Sequence, residues 1–358
     1  MKNETTIREM IESLKQQQGD DFQINEEETV KEYAIKKANK STLTIKILSI
    51  VGGNFASGQF LGFLFLMGLF NSGTATIILG LAFIIAALVL SHVVRKLIFD
   101  TLAIFGLAVG FLLLALGLFE SKVSENAICC WLMIAGAASF LFAKNSIIIF
   151  ISFMIFSESI LTLILLNRPH EMIHLFIAVN TLALAYWMLN EGAIITRGKR
   201  ICELYDPVRI ALIFTLIASL SATMMKSAYD MPLRFAWISS LVMIPVLLYI
   251  IKCVLDIINV AATKEKAVAY LISSLILLAT IFAPAISGAL IVILLCFLVN
   301  YKTGFVVGVL AFIYFVSQYY YDLNITLLTK SIFMMASGVL FILFYLLTSK
   351  KLENNEKI

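Results

Sequence analysis

From about Leu48 to Leu347 the chain is a nearly unbroken series of hydrophobic runs separated by short polar links. Runs of roughly twenty apolar residues match the hydrocarbon thickness of a bilayer. Lipid then dictates the architecture, because a backbone amide out of reach of water must be satisfied inside its own helix. The chain therefore reads as an all-α, polytopic helical membrane bundle. Composition agrees: 61% of its 358 residues are hydrophobic and only 14% are charged, against about half and about a quarter in soluble domains. The net charge of +4 is too small and too dispersed for a nucleic-acid partner.

The runs divide into about twelve spans. Their limits fall near 47–70, 73–94, 98–119, 126–143, 146–166, 170–190, 207–227, 235–254, 267–283, 284–300, 302–320 and 325–348. Residues 1–46 form an N-terminal tail and 349–358 a C-terminal one. In the tail, Ile7, Met10, Ile11 and Leu14 follow helical spacing, and Asn25 with Glu28 reads as a helix cap. The first residues are polar and mixed in charge, so the first span is expected to serve as an uncleaved insertion signal. Links such as Lys144-Asn145 are short enough to force antiparallel neighbours. With the N-terminus inside the cell, the outer links carry only Lys122, Arg168, Lys226 and Arg234 among the basic residues. Apart from Lys330, one turn inside the last span, the other lysines and arginines fall on the inner side, which is the positive-inside pattern. An even number of spans then puts both termini in the cytoplasm.

Five cysteines, with no C-x-x-C spacing, indicate neither a disulfide framework nor a zinc knuckle. There is no Walker A loop, no G-x-S-x-G and no dinucleotide fingerprint, so no cofactor is expected. Interest falls on polar residues inside the spans. Glu158 lies near the middle of the fifth, where a charge costs about 3 kcal/mol on insertion scales. Counting from the turn at Arg168 brings Asn180 near its depth, and Lys330 enters the last span from the same outer side. Glu158, Asn180 and Lys330 are thus the candidates for a transport-like polar site. The segment His170-Glu171-Met172-Ile173-His174 matches H-E-x-x-H. On a helix its two imidazoles could hold zinc while Glu171 acts on the bound water, which makes an intramembrane zinc hydrolase the alternative. In the first span, Asn54, Ser57 and Gln59 alternate with Gly52, Gly53 and Gly58, a pattern expected to bring helices close. Asp100 enters the third span beside Arg95 and Lys96 as an expected ion-pair partner. Asp206-Pro207-Val208-Arg209 reads as a helix entrance, with Asp206 as cap, Pro207 in the first turn and Arg209 as an interfacial anchor.

The stretch from Tyr320-Tyr321-Asp322 through Leu328-Thr329-Lys330-Ser331, followed by an apolar span, resembles the end of a bacterial membrane family, domain-of-unknown-function family 4401. Gly58-Gln59-Phe60-Leu61-Gly62 and Pro207-Val208-Arg209 are similar to that family too. The resemblance implies Tyr320, Tyr321, Leu328 and Lys330 as family-like positions and gives no weight to His170–His174. It also implies a bacterial cytoplasmic membrane and a complex with other membrane proteins. One expected partner carries a G-D-Y motif, which this chain lacks. The expectation is a non-enzymatic subunit of a membrane complex, with a structural scaffold as a further alternative.

Overall fold

In lipid an apolar run satisfies its peptide groups by closing on itself, and the computed structural model shows that solution in the residues it describes. It describes residues 43–69, 72–93, 97–167, 171–224, 237–257 and 283–322, with isolated positions between and beyond them. Every extended element among the described residues is an α-helix. We number them α1 (Leu43–Leu66), α2 (Gly73–Val93), α3 (Leu97–Glu120), α4 (Glu125–Phe142), α5 (Ser146–Leu166), α6 (Met172–Leu189), α7 (Glu191–Ile195), α8 (Lys199–Met224), α9 (Trp237–Ile257), α10 (Pro284–Leu298) and α11 (Lys302–Asp322).

Eight of these are long and apolar enough to cross a membrane: α2 to α6, α8, α9 and α11. The expected count of about twelve is not reached among the described residues. α10 has 15 residues, or about 22 Å at 1.5 Å per residue, less than the roughly 30 Å of a hydrocarbon core. In α1 the apolar stretch is Phe55–Leu66. Most of 267–283 and 325–348, and both tails, lie outside the described residues. The spanning helices expose much of their apolar surface. Ile78, Ile85 and Leu141 are 63%, 60% and 70% exposed, and only 17% of α4 is buried. Water would penalise that surface at about 25 cal/mol per Å², whereas lipid accepts it.

The helices form two compact units, residues 1–160 and 161–358. In the first, α2 and α3 pack with almost no space between their backbones. A Cβ on Gly80 would lie 2.6 Å from Leu114 N and 2.9 Å from Gly110 O, and one on Gly117 would lie 2.9 Å from Gly73 O. Glycines thus face glycines at two levels of the hairpin. The α1 pattern works differently from expectation. Gly53 meets the Phe105 ring, but Gly52 and Gly58 face open space, so close approach belongs to α2 and α3 instead. Leu64, Val109 and Leu113 form a small core with Phe60 and Phe83 against it. α4 turns into α5 through Lys144-Asn145, as its length required, and Asn145 Oδ1 accepts from Ile147 N. Gly136 then lets α4 approach the α5 backbone at Ser152 and Phe156.

The second unit has its core where α6, α8, α9 and α10 meet. Leu184, Leu216, Leu220, Met243, Leu247 and Ile291 are each fully buried there. Gly288 admits Leu220 and Met243 against α10. α10 begins at Pro284, whose missing N–H costs nothing in a first turn. It ends in a Schellman turn: Tyr301 N donates to Cys296 O, Asn300 N donates to Phe297 O, and Asn300 takes φ 53°.

α8 corrects the expected entrance at Asp206-Pro207. The helix starts at Lys199, and Pro207 lies inside it. Gly198, at φ 158°, makes the break, and its carbonyl accepts from Cys202 N. Proline cannot donate to the Glu203 carbonyl, yet neighbouring packing holds the helix through it. Arg209 consequently sits well inside the helix rather than at its mouth.

Candidate functional site

Arg209 is 7% exposed. A guanidinium does not deprotonate, so it can be buried only if its charge is matched and its donors are used. Four side chains surround it and match its charge, although Nε is buried without a hydrogen-bond partner among the described residues. Asp206, one turn earlier on α8, pairs with Nη2. Glu191, from the short α7, lies 3.9 Å from Nη1. The guanidinium carbon sits 4.9 Å from the centre of the Tyr205 ring and 3.9 Å from that of Tyr301, both within cation–π range. Tyr205 is itself fixed: its ring stacks on Trp187 at 6.1 Å, and Trp187 Nε1 donates to the Tyr205 carbonyl.

Each partner arrives for a local reason. Helical spacing aligns Tyr205 and Asp206 with Arg209 at i−4 and i−3. The α10 Schellman turn swings Tyr301 over the guanidinium. Gly304 makes that possible, since a Cβ there would run into the Tyr301 ring and Cys296 Sγ. Burial holds the Tyr301 phenol above its usual range while Arg209 draws it down. With two carboxylates on one guanidinium, the cluster has no charge left to offer an anion. Its chemistry is that of a lock joining α7, α8 and the α10–α11 turn. The residue signals were present, but reading Pro207 as a helix start placed Arg209 at the interface.

His174 is 3% exposed. Its Nδ1 lies 2.7 Å from Ser239 Oγ on α9, and its Nε2 lies 3.2 Å from Glu171 Oε2. A zinc ligand offers a bare nitrogen lone pair; here Nδ1 faces Ser239 on α9 and Nε2 faces the Glu171 carboxylate. Glu171, the alternative catalytic residue, lies beside His174 at 3.2 Å. His170 lies outside the described residues, and no three metal-type side chains converge among those described. The geometry supports His174 as a tie between α6 and α9. Truncating His174 or Ser239 to Ala is expected to cost about 1 kcal/mol each. A double-mutant cycle on unfolding in detergent should show a coupling of about 0.5–1.5 kcal/mol; additive losses would mean the bond contributes nothing.

The expected transport residues fall on separate parts of the chain. Glu158 lies in the first unit, mid-way along α5, with Oε1 buried; its sequence neighbours Ser157 and Ser159 are buried too. Asn180 belongs to the second unit. It is 6% exposed and donates from Nδ2 to Phe176 O on its own helix. Lys330 lies outside the described residues, as do Arg95 and Lys96, the expected partners of Asp100. Tyr320 and Tyr321 occupy the last turn of α11, edge to face at 5.7 Å, with Tyr321 76% exposed. Leu328 is 73% exposed.

The family model for a domain of unknown function (DUF4401) matches residues 42–351 of this sequence. No curated protein and no solved structure matches it.

Proposed function

Because the chain belongs to the DUF4401 family and carries multiple helices of membrane-spanning length, we propose that it is a non-enzymatic, multi-pass subunit of a complex in the bacterial cytoplasmic membrane. Both termini lie in the cytoplasm in this reading, which the charge asymmetry of the links supports. The observation that carries the non-enzymatic role is the use made of polarity in the second unit. His174 and Arg209 are buried there, and each is held by a side chain from another helix of its own bundle. Such bonds fasten helices, which is the work of a structural subunit. The partner is another membrane protein, for which a separate G-D-Y-motif subunit is the foremost candidate.

The decisive experiment is affinity purification of the tagged chain from cross-linked native membranes in a mild detergent. A second membrane protein in fixed proportion is the expected result. Recovery of the chain alone, with hydrolytic activity that falls in Glu171→Gln, would instead favour the zinc reading.

A transport-like role has one specific observation in its favour, the burial of a Glu158 carboxyl oxygen at mid-span. Such a group carries a standing cost of about 3 kcal/mol on insertion scales and marks ion or proton pathways in other membrane proteins. In proteoliposomes, proton or cation flux should be present with the wild-type chain and lost in Glu158→Gln, with unfolding unchanged. Equal flux in both, or none in the wild type, removes transport and leaves the scaffold.

A further inference from the structure

We propose that the cleft at the α10–α11 turn is a phospholipid site, with the lipid phosphate on Lys302 and Asn300 and one acyl chain along Phe297, Phe305 and Val306. The cleft holds about 280 Å³. Its floor is Tyr301 and the buried Cys296, and it is formed before any ligand arrives. Asn300 takes φ 53° in the turn, Arg209 packs on the Tyr301 ring, and Gly304 lets Tyr301 and Cys296, both of which line the cleft, pack against α11.

The two sides of the cleft differ in chemistry. Phe297, Phe305 and Val306 are 59%, 38% and 56% exposed on helices of membrane character, so this wall continues the lipid-facing surface. Lys302 and Asn300 stand at the helix ends, where a headgroup lies. Charge selects the occupant. Arg209 is already neutralised by Glu191 and Asp206. Lys302 forms no ion pair among the described residues, and it is the cation at the mouth. A phosphate diester supplies the matching charge and its acyl chain the matching apolar surface. The positive-inside threading puts the site in the inner leaflet, where basic pockets beside membrane helices meet lipid headgroups.

The test is native mass spectrometry of the full chain in detergent, titrated separately with phosphatidylglycerol, diacylglycerol and inorganic phosphate. Phosphatidylglycerol should be retained, and the other two should bind at least about tenfold more weakly, because each lacks one half of the recognised chemistry. Lys302→Gln should lower phosphatidylglycerol occupancy about tenfold. Val306→Trp, which fills the groove from the lipid side, should abolish it. Both positions are exposed, so unfolding in detergent should not move. Diacylglycerol or phosphate binding as tightly as phosphatidylglycerol overturns the proposal. So does undiminished binding by both variants.

Discussion

Glu191→Gln combined with Asp206→Asn is expected to destabilise the protein more than Arg209→Leu. The naive expectation is the reverse, since Arg209 makes all four contacts. The difference lies in what each change leaves behind. Removing the arginine forfeits two ion pairs and two ring contacts, about 2 kcal/mol together. It strands nothing, because Glu191 and Asp206 are 37% and 71% exposed and water can take over their charges. Removing the carboxylates leaves a guanidinium that is 7% exposed with no counter-charge. Breaking a buried pair in that sense costs about 3–5 kcal/mol. Adding Arg209→Leu to the double mutant should then restore stability towards that of Arg209→Leu alone. Unfolding in detergent, followed by Trp187 fluorescence, gives the ranking. If Arg209→Leu is the most damaging of the three, or the triple variant is the least stable, Arg209 does not depend on these two carboxylates.

Gly110→Ala should destabilise the first unit by about 1–3 kcal/mol, while Gly106→Ala, one turn away on the same helix, should be neutral or stabilising. A Cβ at Gly110 falls 2.9 Å from Ile84 N and 3.0 Å from Gly80 O. Those are backbone atoms, so α2 and α3 must separate as rigid bodies and lose contacts along the hairpin. A Cβ at Gly106 meets only the Ala87 methyl at 3.8 Å and the Phe83 ring at 4.0 Å, which is ordinary packing. There alanine's greater helix propensity, worth up to about 1 kcal/mol, acts unopposed. The pair is its own control, since both changes are chemically identical. Equal effects on unfolding at the two positions would show that propensity, not helix contact, decides both.

The α2–α3 contact left a trace in the sequence that becomes readable only once the fold is known. Gly73 to Gly80 and Gly117 to Gly110 are the same step of two turns, taken in opposite directions on either side of a short link. In the antiparallel hairpin those equal steps bring Gly73 opposite Gly117 and Gly80 opposite Gly110. By contrast, Gly52 and Gly58 in α1 had equally small side chains and face open space, because nothing in their spacing fixed a partner. The Arg209 cluster was legible only in pieces. Tyr205, Asp206 and Arg209 share a helix face by spacing alone. Trp187, Glu191 and Tyr301 come from elsewhere in the chain, and only the fold says that they converge.

The sequence by itself determined the medium and the secondary structure. Uninterrupted apolar runs exclude a water-facing fold, and lipid leaves the α-helix as the way to satisfy a single segment's backbone. Periodicity could say little more, because helices that are apolar all round carry no stripe to mark the buried side. Which faces meet was therefore decided by tertiary structure alone. Steric fit of glycines, the course of α8 through Pro207 and the burial of one guanidinium are properties of pairs of helices, and no single run contains them.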